Sequence, residues 1–365
     1  MPPRYFRAGH LGKDETIQAL KNPGVRAALG AAVLFGAGTP VAKLLLGDGV
    51  NPWMMAGLMY TGSGLGLGVY RVLRRAPRVR LARREWWPLI GAVTFGGVIG
   101  PLLLMSGLAH LPASGASLLL NAEAVFTAVL AWVVFRENVD RRVMIGMAAI
   151  IAGAVVLVVP KGVQLGDVWP SVAILGACLA WGIDNNLTRK IASNDASWLA
   201  AAKGLVAGPV NLTLAISVGA TLPSMTNIAA ATVVGFFAYG VSLVLFIVGL
   251  RYVGTARASA YFAVAPFFGA GLAVVLGDAL TWPLMLCGLL MAVGVWLHLK
   301  ESHRHVHTHP ALEHDHFHRH DDGHHDHTHP VGEFVPPRGH RHPHVHNATT
   351  HTHAHYPDAH HRHAH

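Results

Sequence analysis

From Gly24 to Leu299 the sequence is close to an unbroken series of apolar windows, joined by short polar or Gly/Pro-punctuated stretches. Each window is about 20 residues, the length of helix that crosses the ~30 Å hydrocarbon layer of a bilayer. Lipid offers no partner to an open peptide group, so a spanning segment of this kind must be helical. A soluble bundle would carry polar faces at helical spacing, and these windows mostly do not. Only 13% of the chain is charged, against about 25% in soluble domains. The body is poorer still, because the residues after Lys300 are strongly polar. The expected fold class is an all-α integral membrane protein.

Ten helices are expected, near 26–46, 53–73, 87–109, 113–135, 142–160, 168–188, 196–217, 227–249, 257–277 and 281–299. Their joints alternate in charge. On one side lie five Lys/Arg before or at the first helix, then seven from Arg71 to Arg84 and three from Arg136 to Arg142. Arg189 with Lys190, and Arg251 with Arg257, complete that side; the other holds Lys161. By the positive-inside rule both termini are expected in the cytoplasm and the chain in the plasma or inner membrane. The formal net charge of +9 is thereby explained without nucleic acid as a partner. The polar first 25 residues predict no cleavable signal peptide. Cys178 and Cys287, the chain's two cysteines, fall inside apolar windows and are expected to pack there.

The two halves resemble each other. Leu34–Leu46 (LFGAGTPVAKLLL) matches Ala180–Ala192 (AWGIDNNLTRKIA), and Gly107–Glu137 matches Gly249–Asp278 with one gap. Each half has five windows, so the second enters the membrane from the opposite side. Such inverted repeats mark transporters, in which the halves exchange conformations to alternate access. The segments ASGASLLLNAEAVFTAVLAWVVFRE and GMAAIIAGAVVLVVP, with their counterparts ARASAYFAVAPFFGAGLAVVLGD and LCGLLMAVGVWLHL, resemble the drug/metabolite transporter superfamily. The closer likeness is to its ten-helix members with two EamA domains. That resemblance covers roughly residues 26–299 and implies a first repeat at 26–160, a second at 168–299, and solute export. The chain departs from the family pattern at Glu123-Ala124, where an acidic-Pro pair is usual; the proline persists in the second half as Pro266. A long histidine tail is also a departure.

Charges inside spans cost about 2.5–3.5 kcal/mol near the centre on insertion scales, so each requires a reason. Glu123 and Thr127 form one row on the fourth helix, and Ser117 and Asn121 another. On the sixth helix, Asp184 shares a face with Thr188, and Asn185 with Arg189, while Asn186 lies between. Asp184, Asn185, Asn186, Glu123 and Asn121 are expected along the transport pathway. Asp184 aligns with Gly38, so the acid breaks the internal symmetry. Lys43 aligns with Arg189, and both suit snorkelling. Lys203 lies deeper than a snorkelling lysine; it can pair with Asp184 or Glu123, or hold a substrate carboxylate. Lys43 and Lys203 complete the expected pathway. His110 is expected at an interface, and Trp181 and Tyr60 in packing or cavity lining.

All but three of the 26 histidines follow Glu301, many as His-x-His. Low apolar content predicts a disordered cytoplasmic tail over 300–365. Its imidazoles suit zinc, nickel, copper or cobalt in weak, interchangeable sites. The expected ligands are His303, His305, His307, His309, His314, His316, His318, His320, His324, His325, His327 and His329. No tightly bound cofactor is expected. The expected function is secondary-active export of nickel, cobalt or zinc, coupled to protons. The alternative is export of an amino acid or other metabolite, with the tail as a metal-binding regulatory or storage arm. Lipid, the small solute or metal ion, and a second copy of the chain are the expected partners. Neither a nucleophile with a base nor a phosphate loop is evident, so no enzyme activity is expected.

Overall fold

The joints between the apolar windows supply the caps that start the helices. In a computed structural model, Asn22 accepts from the Gly24 N–H, Asn51 from Trp53 and Met54, and Asp195 from Trp198. Proline follows both asparagines in the first turn, where its missing N–H costs nothing. The structure describes residues 22–79, 81–135, 141–158, 168–191, 195–253, 258, 261–299, 303–309, 312–318, 340–346 and 349–355.

The described body contains ten helical rods. They are α1 (Pro23–Gly47), α2 (Pro52–Leu73), α3 (Arg83–Leu108), α4 (Ala113–Leu119 and Ala122–Phe135) and α5 (Arg141–Val158). The second series is α6 (Trp169–Arg189), α7 (Ala196–Ser217), α8 (Met225–Gly235 continuing through Phe236–Val241 to Ser242–Val253), α9 (Ala265–Val275) and α10 (Trp282–Leu299). The expected bounds hold to a few residues; at the ninth helix residues 254–257, 259 and 260 lie outside the described residues, and a turn at Ala263–Val264 precedes Ala265–Val275. Among the described residues, five helices are long and apolar enough to cross a bilayer: Pro23–Gly47, Arg83–Leu108, Ala113–Val134, Ala196–Ser217 and Met225–Gly249. Helices α2 and α6 match them in length, but glycines dilute the first and the polar run at 184–189 dilutes the second.

Local departures from regular helix recur in both halves, and the turn at Ala263–Val264 in the ninth window is one of them. Val93–Ile99 in α3 and Phe236–Val241 in α8 are π-helical, and they fall at corresponding places of the two repeats. The fourth rod breaks at Leu120–Asn121, where Asn121 Nδ2 donates back to the Leu118 carbonyl at 3.0 Å.

The halves do not form separate domains; they interleave. Helix α1 packs on α8 and α9, and α6 packs on α3 and α4, while α2 meets α7 and α5 meets α10. Close contacts at glycines occur in matched pairs. Gly107 lies against the Pro170 carbonyl and Ile174, and Gly249 against the Gly24 carbonyl and Ala28. Gly153 meets Met291 and the Cys287 carbonyl, and Gly294 meets Ile150 and the Gly146 carbonyl. Gly64 abuts the Leu205 nitrogen, and Gly208 the Thr61 nitrogen. The contacts thus repeat with the order of the halves exchanged, as inverted repeats require. Cys178 and Cys287 are free and buried, as the sequence leads one to expect.

The tail is a separate unit, Ser302–His365. The expected disorder is not what its described parts show. Two antiparallel ladders form: β1 (His303–His309) with β4 (Thr349–His355), and β2 (Leu312–His318) with β3 (His340–His346). The reason is the His-x-His alternation, whose period of two is the period of a strand; pairing two such segments satisfies both backbones. Of the expected ligands, His320, His324, His325, His327 and His329 lie outside the described residues.

At the arginine-rich end, Asp195 caps α7 and accepts from Arg71 at 2.8 Å and from Ser197 at 2.5 Å. Burial alone would raise its pKa, but Ser197, the Trp198 N–H and Arg71 outweigh it and hold the carboxyl below its ordinary value. Asp195→Ala is expected to cost about 1 kcal/mol, measured by unfolding in detergent. A carboxyl held low in the folded state stabilises at neutral pH; this increment disappears as pH falls through the depressed value. Gly235 offers a second check. A side chain there would collide with the Met59 backbone, so Gly235→Leu forces α2 and α8 apart and is expected to cost at least about 2 kcal/mol.

Candidate functional site

The π-helical turn in α3 places its carbonyls where other helices can reach them. The Gly96 carbonyl accepts from the Tyr60 hydroxyl at 2.8 Å and from Trp181 Nε1 at 3.0 Å. The next carbonyl, Gly97, accepts from Asn211 Nδ2 at 2.9 Å. Helices α2, α6 and α7 are therefore tied to one short segment. Gly96 has a second role: any side chain there would occupy the space of the Asp184 carboxylate.

Asp184 projects from α6 into this notch and is 7% exposed. Lys203 Nζ on α7 donates to both carboxylate oxygens, at 2.5 and 2.6 Å. Thr188, one turn further along α6, donates to Oδ1 at 2.8 Å, and Lys203 also reaches its hydroxyl at 3.4 Å. Of the partners open to Lys203 from sequence, the structure selects Asp184. The geometry explains why two charges are tolerated here. Each neutralises the other, and the threonine occupies a remaining lone pair.

A second polar group adjoins the first. Asn185 Nδ2 donates to Glu123 Oε1 at 2.8 Å and to Thr127 Oγ1 at 3.3 Å, linking α6 to α4. Asn185 is exposed and Glu123 half-buried, so this group borders the open face of the α4–α6 contact. Asn186 is turned elsewhere: its amide donates to the carbonyls of Gly182 and Thr127 and braces the same contact.

Two residues expected on the pathway lie apart. Asn121 is buried at the break in α4, bonded to Leu118 and touching the Met291 sulfur. Lys43 donates to the Leu108 and Ala109 carbonyls, both at 2.8 Å, and so caps the last turn of α3 at the opposite end. A cavity of about 220 Å³ also lies at that end, lined by Leu111, Pro112, Ser114, Ser171 and Thr281 among others. None of the expected pathway residues lines it.

The sequence reading missed Gly96 and gave Tyr60 no polar role. The Gly96-Gly97 pair was the available signal, since adjacent glycines in a span mark close backbone approach. Tyr60 also stacks near Tyr239, with ring centroids 5.3 Å apart, and Tyr239 meets Phe35 at 5.9 Å, so an aromatic row leads from this notch into α1. Among the described residues no group of three or more His, Cys, Asp or Glu is placed to hold a metal.

Known proteins share this architecture. A solved crystal structure superposes with a TM-score of 0.57 over 75% of this chain and 95% of its own length; at 18% identity this shows the fold alone. An uncharacterized transporter of Methanothermobacter thermautotrophicus is 27% identical over 289 residues, 73% of this chain and 83% of that one. The model of the EamA-like transporter family matches twice, at residues 22–159 and 168–299, the two interleaved halves described above. With both repeats matched across its helical body, the chain belongs to the EamA-like transporter family and is a multi-pass membrane protein.

Proposed function

We propose that the chain exports a small organic solute bearing a carboxylate, by alternating access between its two inverted halves, with Lys203 as the cationic docking point. One observation carries the choice of solute: the Lys203 ammonium already holds a carboxylate, that of Asp184, with both oxygens engaged. A substrate carboxylate needs only to exchange with it. The neighbouring Glu123–Asn185 group offers acceptors to an amino group, which favours an amino acid or a similar amphoteric metabolite. The groups on the Asp184 carboxylate are the Thr188 hydroxyl and the Lys203 ammonium, and the ammonium has no lone pair to offer a metal. Nickel, cobalt and zinc prefer imidazole or thiolate, and an ammonium beside the acid repels a cation. The metal-export reading therefore has less support than the metabolite reading.

The tail is a divalent-metal-binding arm in this proposal, regulatory or storing. Its ladders support that role. Their register sets His303 opposite His355, His305 opposite His353 and His307 opposite His351. It sets His314 opposite His344, His316 opposite His342 and His318 opposite His340. Directly opposed residues of an antiparallel pair are about 4.5–5.5 Å apart at Cα, close enough for two imidazoles to share one ion.

Two measurements test these readings. In proteoliposomes, uptake of labelled amino acids is expected with the full chain and is lost in Lys203→Ala, while nickel, cobalt and zinc flux stays at background. Metal flux that Asp184→Asn abolishes would overturn the choice of solute. Calorimetric titration with nickel or zinc is expected to give several sites on the full chain and none on the chain cut after Lys300. Equal binding by both would remove the metal role from the tail.

A further inference from the structure

The internal symmetry assigns every residue of the Asp184 cluster an image in the other half. Asp184 rests on Gly96; its image, Gly38, rests on Ala238. Gly64 against Leu205 and Gly208 against Thr61 fix the correspondence of α2 with α7, which sets Lys203 against Met59. The image of Thr188 is Ala42. Gly38, Met59 and Ala42 are all buried, Met59 and Ala42 completely. The second-half cluster is ionic where the first-half cluster is wholly apolar.

The apolar surroundings are shared. Beyond the pair, towards the arginine-rich end, Leu89, Ile191 and Leu199 pack together. Their images, Ala231, Leu45 and Met55, belong to the main core near the opposite end. Each end therefore has an apolar plug of similar build, and among the described residues the one at the arginine-rich end is backed by an ion pair joining α6 to α7.

We infer that Asp184 and Lys203 form the latch of the gate at the arginine-rich end, and that the missing pair at Gly38 and Met59 makes the opposite gate the easier one to open. Opening the latched gate separates α6 from α7 and parts two charges whose direct contacts are each other and Thr188, beside the Gly96 notch. Opening the other gate separates α1 from α2 at Gly38 and Met59, where the surfaces are apolar; the charges at that end, Lys43 on the α3 carbonyls and Asp278 on the Ser114 N–H, tie other helix pairs. The two access states are thus unequal in free energy, and the empty protein rests closed at the arginine-rich end. A substrate that competes for Lys203 lifts the difference by replacing Asp184. This inference rests on the alternating-access reading above, but the latch is read without any substrate, so it stands or falls separately from the identity of the solute.

The test uses a water-soluble thiol reagent on the full chain in detergent, with Cys178→Ala and Cys287→Ala throughout. One reporter is Leu199→Cys in the latched gate; the other is Met55→Cys in its image. Asp184→Gly/Lys203→Met, which writes the first-half residues into the second half, should speed labelling at position 199 by about tenfold. That is the factor expected for one charged hydrogen-bonded contact. Labelling at position 55 should hold or slow. Asp184→Asn/Lys203→Gln keeps side-chain volume and should act likewise if the glycine variant folds poorly, while Lys203→Arg should label at the parent rate. An unchanged rate at position 199 in both neutral pairs overturns the latch. So does equal acceleration at both positions, which would mean general loosening of the bundle.

Discussion

Helices in a bilayer gain nothing from the hydrophobic effect when they meet, because lipid chains are as apolar as leucine. What holds this bundle together is close approach, with dispersion and hydrogen bonds acting at short range between backbones. Glycine makes that approach possible. Gly64 and Gly208 bring α2 and α7 together, and Gly153 and Gly294 do the same for α5 and α10. Because the two members of each pair come from different halves, neither half can satisfy its contact surface alone. The interleaving is a consequence of where the small residues lie.

Once backbones are that close, few places remain for polar atoms, and those places must be complete. The carbonyls around the π-turn of α3 are taken up by Tyr60, Trp181 and Asn211. In the second half the equivalent carbonyl, Ala238, is satisfied within its own helix by Ser242. Among the described residues the first-half segment is thus bound to three other helices, while no such side-chain bond reaches the second-half segment from its neighbours. The charged pair strengthens the same asymmetry. A symmetric scaffold thus carries an asymmetric set of polar ties, concentrated where α3, α6 and α7 meet.

This gives the family membership a specific form. An EamA-like transporter has two halves that can exchange roles. Here the two halves are unequal, and the inequality lies in a handful of side chains: Asp184, Lys203, Thr188, Tyr60 and Trp181. The histidine tail stands apart from that machinery as its own unit, with a strand period already written in its alternating residues.

The sequence by itself determined the helical class, the order of the ten rods, the repeat, and the identity of the polar residues in the spans. These follow from hydropathy and spacing, which are properties of neighbouring residues along the chain. It also showed that Asp184 departs from the symmetry, since its aligned partner is glycine. It did not determine partners. Lys203 has three candidates and the fold joins it to Asp184; Lys43 meets the last turn of α3, and Asn121 the break in α4. The tail, too, was read as disordered because its composition is polar, although its alternation allowed strands. Such outcomes depend on which helix faces meet and at what distance, set by small residues on two segments far apart in sequence. Only the tertiary structure brings those segments together, and with them the notch at Gly96 that gives Asp184 its place.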